Sequence, residues 1–144
     1  MRLAAVLMLL AFAGCGGGGP QVIARDGEGG VVAQAALPQD GRFALTYRHS
    51  VYGAPAEERF RAVDGGFVLD SVASPNARVI DHYEIEGTRS REGDLYVIRP
   101  DRPVRFITLP LAATRRGQRT LVAGEKRLPL YGGPVHLRLA VEGT

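Results

Sequence analysis

The sequence holds one cysteine, Cys15, one lysine, Lys126, and no tryptophan. A single thiol excludes an internal disulfide and any metal site built from several cysteines. With 7% aromatic residues there is little to stack against nucleobases or sugar rings. The remaining cations are all arginine, and 18 positive against 15 negative side chains leave a net charge of +3. These arginines alternate with acids along the chain, so they do not build the basic face that binds nucleic acid by counter-ion release, and no nucleic-acid partner is expected. No apolar run reaches the ~20 residues that a membrane-spanning helix needs.

What is present begins with residues 1–14: Met-Arg, an uncharged apolar run over 3–13, then Phe12-Ala13-Gly14 directly before Cys15. Those three regions have the layout of an export signal. Small residues followed by the only cysteine resemble a bacterial lipobox, which implies cleavage after Gly14 and diacylation of Cys15. Two or more acyl chains hold a protein stably on a membrane, each buried methylene contributing ~0.8 kcal/mol. Residues 15–20, the lipidated cysteine and Gly16-Gly17-Gly18-Gly19-Pro20, then read as a short tether. The membrane is thus an expected partner, and the protein is expected on its extracytoplasmic side.

Residues 21–144 read as one all-β domain, since 144 residues at 45% hydrophobic suit a single core. No twelve-residue window has clean helical spacing, whereas short alternating runs recur between Gly, Pro and Asp punctuation. Candidate strands are 22–25, 31–36, 42–50, 56–63, 67–72, 78–85, 95–98, 104–109, 120–122 and 135–141. An antiparallel sandwich or partly open barrel of eight to ten strands with little helix follows.

Two turns fix a register for the central meander. A turn at Tyr52-Gly53-Ala54-Pro55 sets Tyr47 against Phe60, Leu45 against Ala62 and His49 against Glu58. A two-residue turn at Asp64-Gly65 sets Phe60 against Leu69 and Ala62 against Phe67. Phe43, Leu45, Tyr47, Phe60, Ala62, Phe67 and Leu69 then share the core face, with Thr46, Arg48, Arg59, Arg61 and Asp70 opposite. The last strand turns Val135, Leu137, Leu139 and Val141 inward and His136 outward, and Arg115-Arg116-Gly117 reads as a solvated basic turn.

The same registers put His49, Glu58 and Ser71 in a polar row at the end of the apolar face. A nucleophilic triad needs its histidine between hydroxyl and carboxylate, and here the carboxylate is central. The expectation is therefore a charge-assisted His49–Glu58 pair that fixes the hairpin register. A small hydrolase or metal-dependent enzyme using His49 and Glu58 is the rival reading. Asp81 and His82 could add metal ligands, but neighbours on one strand point to opposite faces, so no metal site is expected. No phosphate-cradling glycine loop precedes a helix, and no cofactor is expected.

Phe43-Ala44-Leu45-Thr46-Tyr47-Arg48-His49-Ser50-Val51, followed by Pro55-Ala56-Glu57-Glu58, resembles the bacterial family known as domain of unknown function 1850. His49, Ser50, Val51, Pro55, Glu57 and Glu58 match its motif. Asn76-Ala77, Asp81-His82-Tyr83 and Thr120-Leu121-Val122, with the final strand, resemble its remainder. Relatives are small exported proteins often encoded beside tripartite importers of the TAXI type. The resemblance implies an accessory role in solute uptake and supplies no catalytic residue; with the lipobox and the tether, the expected partner is a transporter subunit, a solute-binding protein or a small molecule. The functional expectation is a non-catalytic binding module whose polar cluster is His49, Ser50, Glu57, Glu58 and Ser71, with Asp81 and His82 secondary. A purely structural envelope protein is a further alternative.

Overall fold

A computed structural model describes residues 18–143. The expected signal peptide and Cys15 lie outside them. The described residues form twelve strands and one short helix: β1 (Gln21–Arg25), β2 (Val31–Ala36), β3 (Arg42–Arg48), β4 (Pro55–Val63), β5 (Gly66–Ser74), α1 (Ala77–His82), β6 (Gly87–Glu92), β7 (Leu95–Pro100), β8 (Val104–Phe106), β9 (Thr108–Ala112), β10 (Thr120–Ala123), β11 (Lys126–Pro129) and β12 (His136–Glu142). One sheet runs β2-β1-β12-β9; the other runs β11-β10-β3-β4-β5-β7-β6, with β8 also paired to β5. The pairings are antiparallel and the two sheets form a sandwich that does not close into a barrel.

The core lies between the layers. Val22, Leu137, Leu139 and Val141 from the smaller sheet meet Phe43, Leu45, Phe60, Phe67, Leu69 and Leu121 from the larger. The faces expected for the meander are therefore correct, but the register of its first hairpin is not. Phe43 pairs Phe60, Leu45 pairs Glu58 and Tyr47 pairs Ala56, a displacement of four residues from the expected pairing. The loop closes between His49 and Ala54, where the His49 amide donates to the Ala54 carbonyl at 2.8 Å. Gly53 takes φ +64 within this loop rather than at the centre of a two-residue turn. An even displacement leaves every side chain on its face, which is why parity alone did not detect it.

The Asp64-Gly65 turn is as expected: Val63 pairs Gly66, Ala62 pairs Phe67 and Phe60 pairs Leu69. Beyond it, Asp70 is an extra residue in β5, so Arg59 faces Ser71 and Glu58 faces Val72. This bulge moves Ser71 off the core-facing side and breaks the expected polar row.

Other elements also depart from expectation. Residues 78–85 are not a strand. Asn76 caps α1, its side-chain oxygen accepting from the Arg78 amide at 3.0 Å, and the helix buries Val79 and Ile80. Six residues are too few to register in a twelve-residue helical window. The segment 104–109 divides between sheets, β8 joining β5 and β9 joining β12, with Ile107 75% exposed at the crossing. β6 and β11 were absent from the expected set because they are edge strands with nearly all side chains in solvent, so no alternation marks them. Val135 is exposed rather than inward, as it precedes β12.

Gly66 is required by space. A Cβ there would sit 2.2 Å from the Phe106 carbonyl oxygen, against the β8 backbone. Gly93, in the β6–β7 turn, has φ +59 and open surroundings. Gly93→Ala is expected to cost about 1–2 kcal/mol from its left-handed backbone, whereas Gly66→Ala should cost about 3 kcal/mol. Urea unfolding measures both. Amide exchange should show β8 unprotected only in the Gly66 variant; β8 protection unchanged there would contradict the steric reading.

Candidate functional site

Strand parity turns Glu58 of β4 into the space between the sheets, in line with Ala56 and Phe60. A carboxylate in an apolar layer must be matched by donors or opposite charge. Here the Tyr83 hydroxyl donates to Glu58 Oε1 at 2.7 Å, and Arg119 Nη1 lies 3.5 Å from Glu58 Oε2. Tyr47 hydrogen-bonds Tyr83, and because the Tyr83 proton is committed to Glu58, Tyr47 is the donor of that pair. The Arg119 guanidinium stacks over the Tyr47 ring, 4.6 Å from its centroid. Four residues from β3, β4, the chain after α1 and the loop before β10 thus close one polar ring.

Burial raises the Tyr47 phenol above the ordinary tyrosine value. Burial, then the charge of Glu58, raises Tyr83 as well. Both phenols are protonated donors at neutral pH, and neither acts as a base there.

Glu58, Tyr83 and Arg119 of this ring floor a crevice of about 400 Å³. Phe60, Leu69, Ile85, Phe106, Leu109 and Leu111 wall it, and Val104 stands at its rim. Concave apolar walls with a few converging polar groups are the general form of a small-molecule site.

The expected His49–Glu58 pair does not form. His49 is 5% exposed and serves its own loop: Nδ1 accepts from the amides of Val51 at 3.3 Å and Tyr52 at 3.4 Å. Its proton is therefore on Nε2. The ring stacks on Tyr52, centroids 5.2 Å apart, and meets His82 edge to face at 4.7 Å. Burial first, and the proximity of His82 second, hold His49 below the usual histidine pKa.

The other expected residues are dispersed. Ser50 is exposed in the loop. Glu57 faces away from the core and binds Arg59 Nε at 2.5 Å; Arg59 continues to Glu92 at 2.7 Å, and Glu92 to Arg99 at 2.6 Å. Ser71 is fully buried opposite Arg59, its hydroxyl without a hydrogen-bond partner among the described residues. Asp81 pairs with Arg89 at 2.5 Å on the surface. Only His49 and His82 come together. No group of three or more His, Cys, Asp or Glu side chains stands in metal-binding array among the described residues.

Tyr47, Tyr83 and Arg119 were not among the expected site residues. Tyr47 was legible on the core face by parity, and an inward tyrosine needs a partner for its hydroxyl. Nothing in the sequence linked Tyr83 or Arg119 to it. Compared with known proteins, the chain matches no family model, no curated sequence and no solved structure. No helix among the described residues is long and apolar enough to cross a membrane.

Two outcomes follow from this geometry. Tyr83→Phe strips a donor from a carboxylate and should cost about 1.5–3 kcal/mol, while Tyr47→Phe, which loses a neutral pair, should cost about 0.5–1.5 kcal/mol; chemical denaturation gives both, and equal losses would contradict the donor order. His49 supplies the pH term. The unfolded chain protonates near pH 6.5 and the folded chain only below that, so stability is full above about pH 6.5 and falls as pH drops through the lowered folded value. Melting temperatures taken across this range should show the decline in the wild type and a flatter profile in His49→Gln; an identical slope in both would remove His49 as its source.

Proposed function

We propose that the chain is an extracytoplasmic lipoprotein whose β-sandwich is a non-catalytic binding module, held at the membrane through Cys15 and serving a solute importer. The observation that carries the binding half of this reading is the crevice between the sheets, with apolar walls and a charge-compensated floor. The catalytic rival asks His49 and Glu58 to cooperate. His49 Nδ1 is occupied by its own loop amides, Glu58 by Tyr83 and Arg119, and no serine hydroxyl hydrogen-bonds either side chain among the described residues. A general base needs a free acceptor within reach of its proton donor.

The anchor rests on the sequence of residues 1–20 and the importer on the family resemblance. The start of β1 at Gln21 places the sandwich directly after the glycine segment, and the Pro20 carbonyl already accepts from the Leu37 amide at 2.9 Å. A sandwich tied down this close to an acylated cysteine would lie against the bilayer surface.

Growth with labelled palmitate should mark the wild-type chain and place it in the membrane fraction, while Cys15→Ser should be unlabelled. Absence of label from the wild type would end the lipoprotein reading. Mild crosslinking and pull-down from solubilised membranes should recover a transporter component; recovery of the lipoprotein alone would end the importer assignment.

A further inference from the structure

The floor of the inter-sheet crevice has an imbalance of donors and acceptors. Glu58 Oε1 accepts the Tyr83 hydroxyl, and Oε2 faces Arg119 as an ion pair at 3.5 Å, too long for a hydrogen bond. The Tyr47 proton goes to Tyr83. Arg119 carries five N–H donors, yet its guanidinium meets only Glu58 at 3.5 Å and the face of the Tyr47 ring, and makes no side-chain hydrogen bond among the described residues. Its side chain is 20% exposed and lines the crevice. The Arg119 donors at the crevice wall are therefore unmatched by any hydrogen bond among the described residues.

Charge narrows the ligand further. Glu58 and Arg119 cancel at the floor, so a bound anion would leave the enclosed site net negative. An anion would also lie beside a neighbouring hollow of about 610 Å³ that shares Ile85 and Val104 with the crevice and is lined by Glu84, Glu86 and Asp101 against Arg102 alone. A cation would be drawn toward that hollow, but at the crevice floor it would face the Arg119 guanidinium beside Glu58. Neutral ligands meet neither obstacle.

We infer that the crevice takes an uncharged, largely apolar molecule carrying one hydrogen-bond acceptor, seated with that acceptor against Arg119 and its apolar body along Phe60, Phe106 and Leu111. This rests on the binding-module reading and specifies its ligand. Arg119 selects the head group, the aromatic and aliphatic walls supply the affinity, and the adjacent acidic hollow disfavours fatty anions that the walls alone would accept.

The experiment is photoaffinity labelling of the full-length lipoprotein in its membranes with diazirine-bearing 2-undecanone, undecanoate and undecylammonium, mapped by peptide mass spectrometry. The ketone should label residues 83–85 and 104–112 at least about fivefold over either charged probe, and excess unlabelled 2-undecanone should suppress it. Glu58→Gln/Arg119→Met, which leaves no unpaired carboxylate, should lower ketone labelling at least about tenfold relative to Glu58→Gln alone, the worth of a hydrogen bond to a charged group. Val104→Trp, a change at the partly exposed rim, should block labelling of these segments while the melting temperature stays near that of the wild type. Labelling of the same segments by undecanoate or undecylammonium at or above the ketone level would overturn the head-group assignment and leave the binding module standing. Failure of every probe to label them above the Val104→Trp background would overturn both.

Discussion

Glu58 lies on the inner face of β4, between Ala56 and Phe60, and that single fact of strand parity organises much of the molecule. An unmatched carboxylate in this half-buried position would cost several kcal/mol, a large share of the ~5–15 kcal/mol by which a domain is stable. Its compensation reaches into three other parts of the chain: Tyr83 just past α1, Tyr47 on β3 and Arg119 before β10. The carboxylate thus fixes how the helix end and the basic loop seat against the larger sheet.

Register is held independently by aromatic packing. Phe43 stacks on Phe60 at 5.3 Å, Phe67 stands edge-on to both at 5.4 Å, and Phe106 stacks on Phe67 at 5.4 Å. These four rings belong to β3, β4, β5 and β8, and aromatic pairs of this kind add about 0.5–1.5 kcal/mol beyond their burial. On the opposite face, Glu57, Arg59, Glu92 and Arg99 link β4 to the β6–β7 hairpin through shared ions. Arg59 and Arg99 hold the Glu92 carboxyl below the usual carboxylate range. A slip by one residue would drive Arg59 inward and Phe60 outward, which both faces resist.

The legible part of the fold is the part governed by a period of two. Phe43, Leu45, Phe60, Phe67 and Leu69 announce a core face because each strand is long enough to alternate and both neighbours are paired. Edge strands such as β6 give no such signal, and α1 is too brief for a helical one. Turn chemistry was legible at Asp64-Gly65, where glycine sits in a two-residue connection, but misleading at Gly53. There the positive φ serves a four-residue loop whose geometry is set by the His49 ring accepting two amides, and no pattern of residue types reveals that. From that one displacement came the mistaken His49–Glu58 pair. The Asp70 bulge then removed Ser71 from the same face. The site was half legible: Glu58 and Tyr47 declare themselves by parity, whereas Tyr83 and Arg119 reach them only through tertiary closure.

Why a crevice persists follows from the unequal layers. Seven strands along the main path of the larger sheet span roughly 29 Å at ~4.8 Å per spacing, against roughly 14 Å for the four strands facing them. Toward the β9 edge the coverage thins: Phe60 of β4 and Leu69 of β5 are buried, whereas Val104 and Phe106 of β8 stay partly exposed. β9 contains Pro110, which lacks a ladder donor and suits an edge position. Ile80, Tyr83 and Ile85 cover part of the excess as the chain leaves β5 and passes through α1. What they leave open is bounded by Phe60, Leu69 and Phe106 on one side and Leu109 and Leu111 on the other, with Glu58 and Arg119 beneath. Filling that gap with a larger side chain would extend the core, so an apolar ligand in the same place would act as the missing part of the smaller layer. Occupancy of the crevice and stability of the sandwich are in that sense coupled through the same surface.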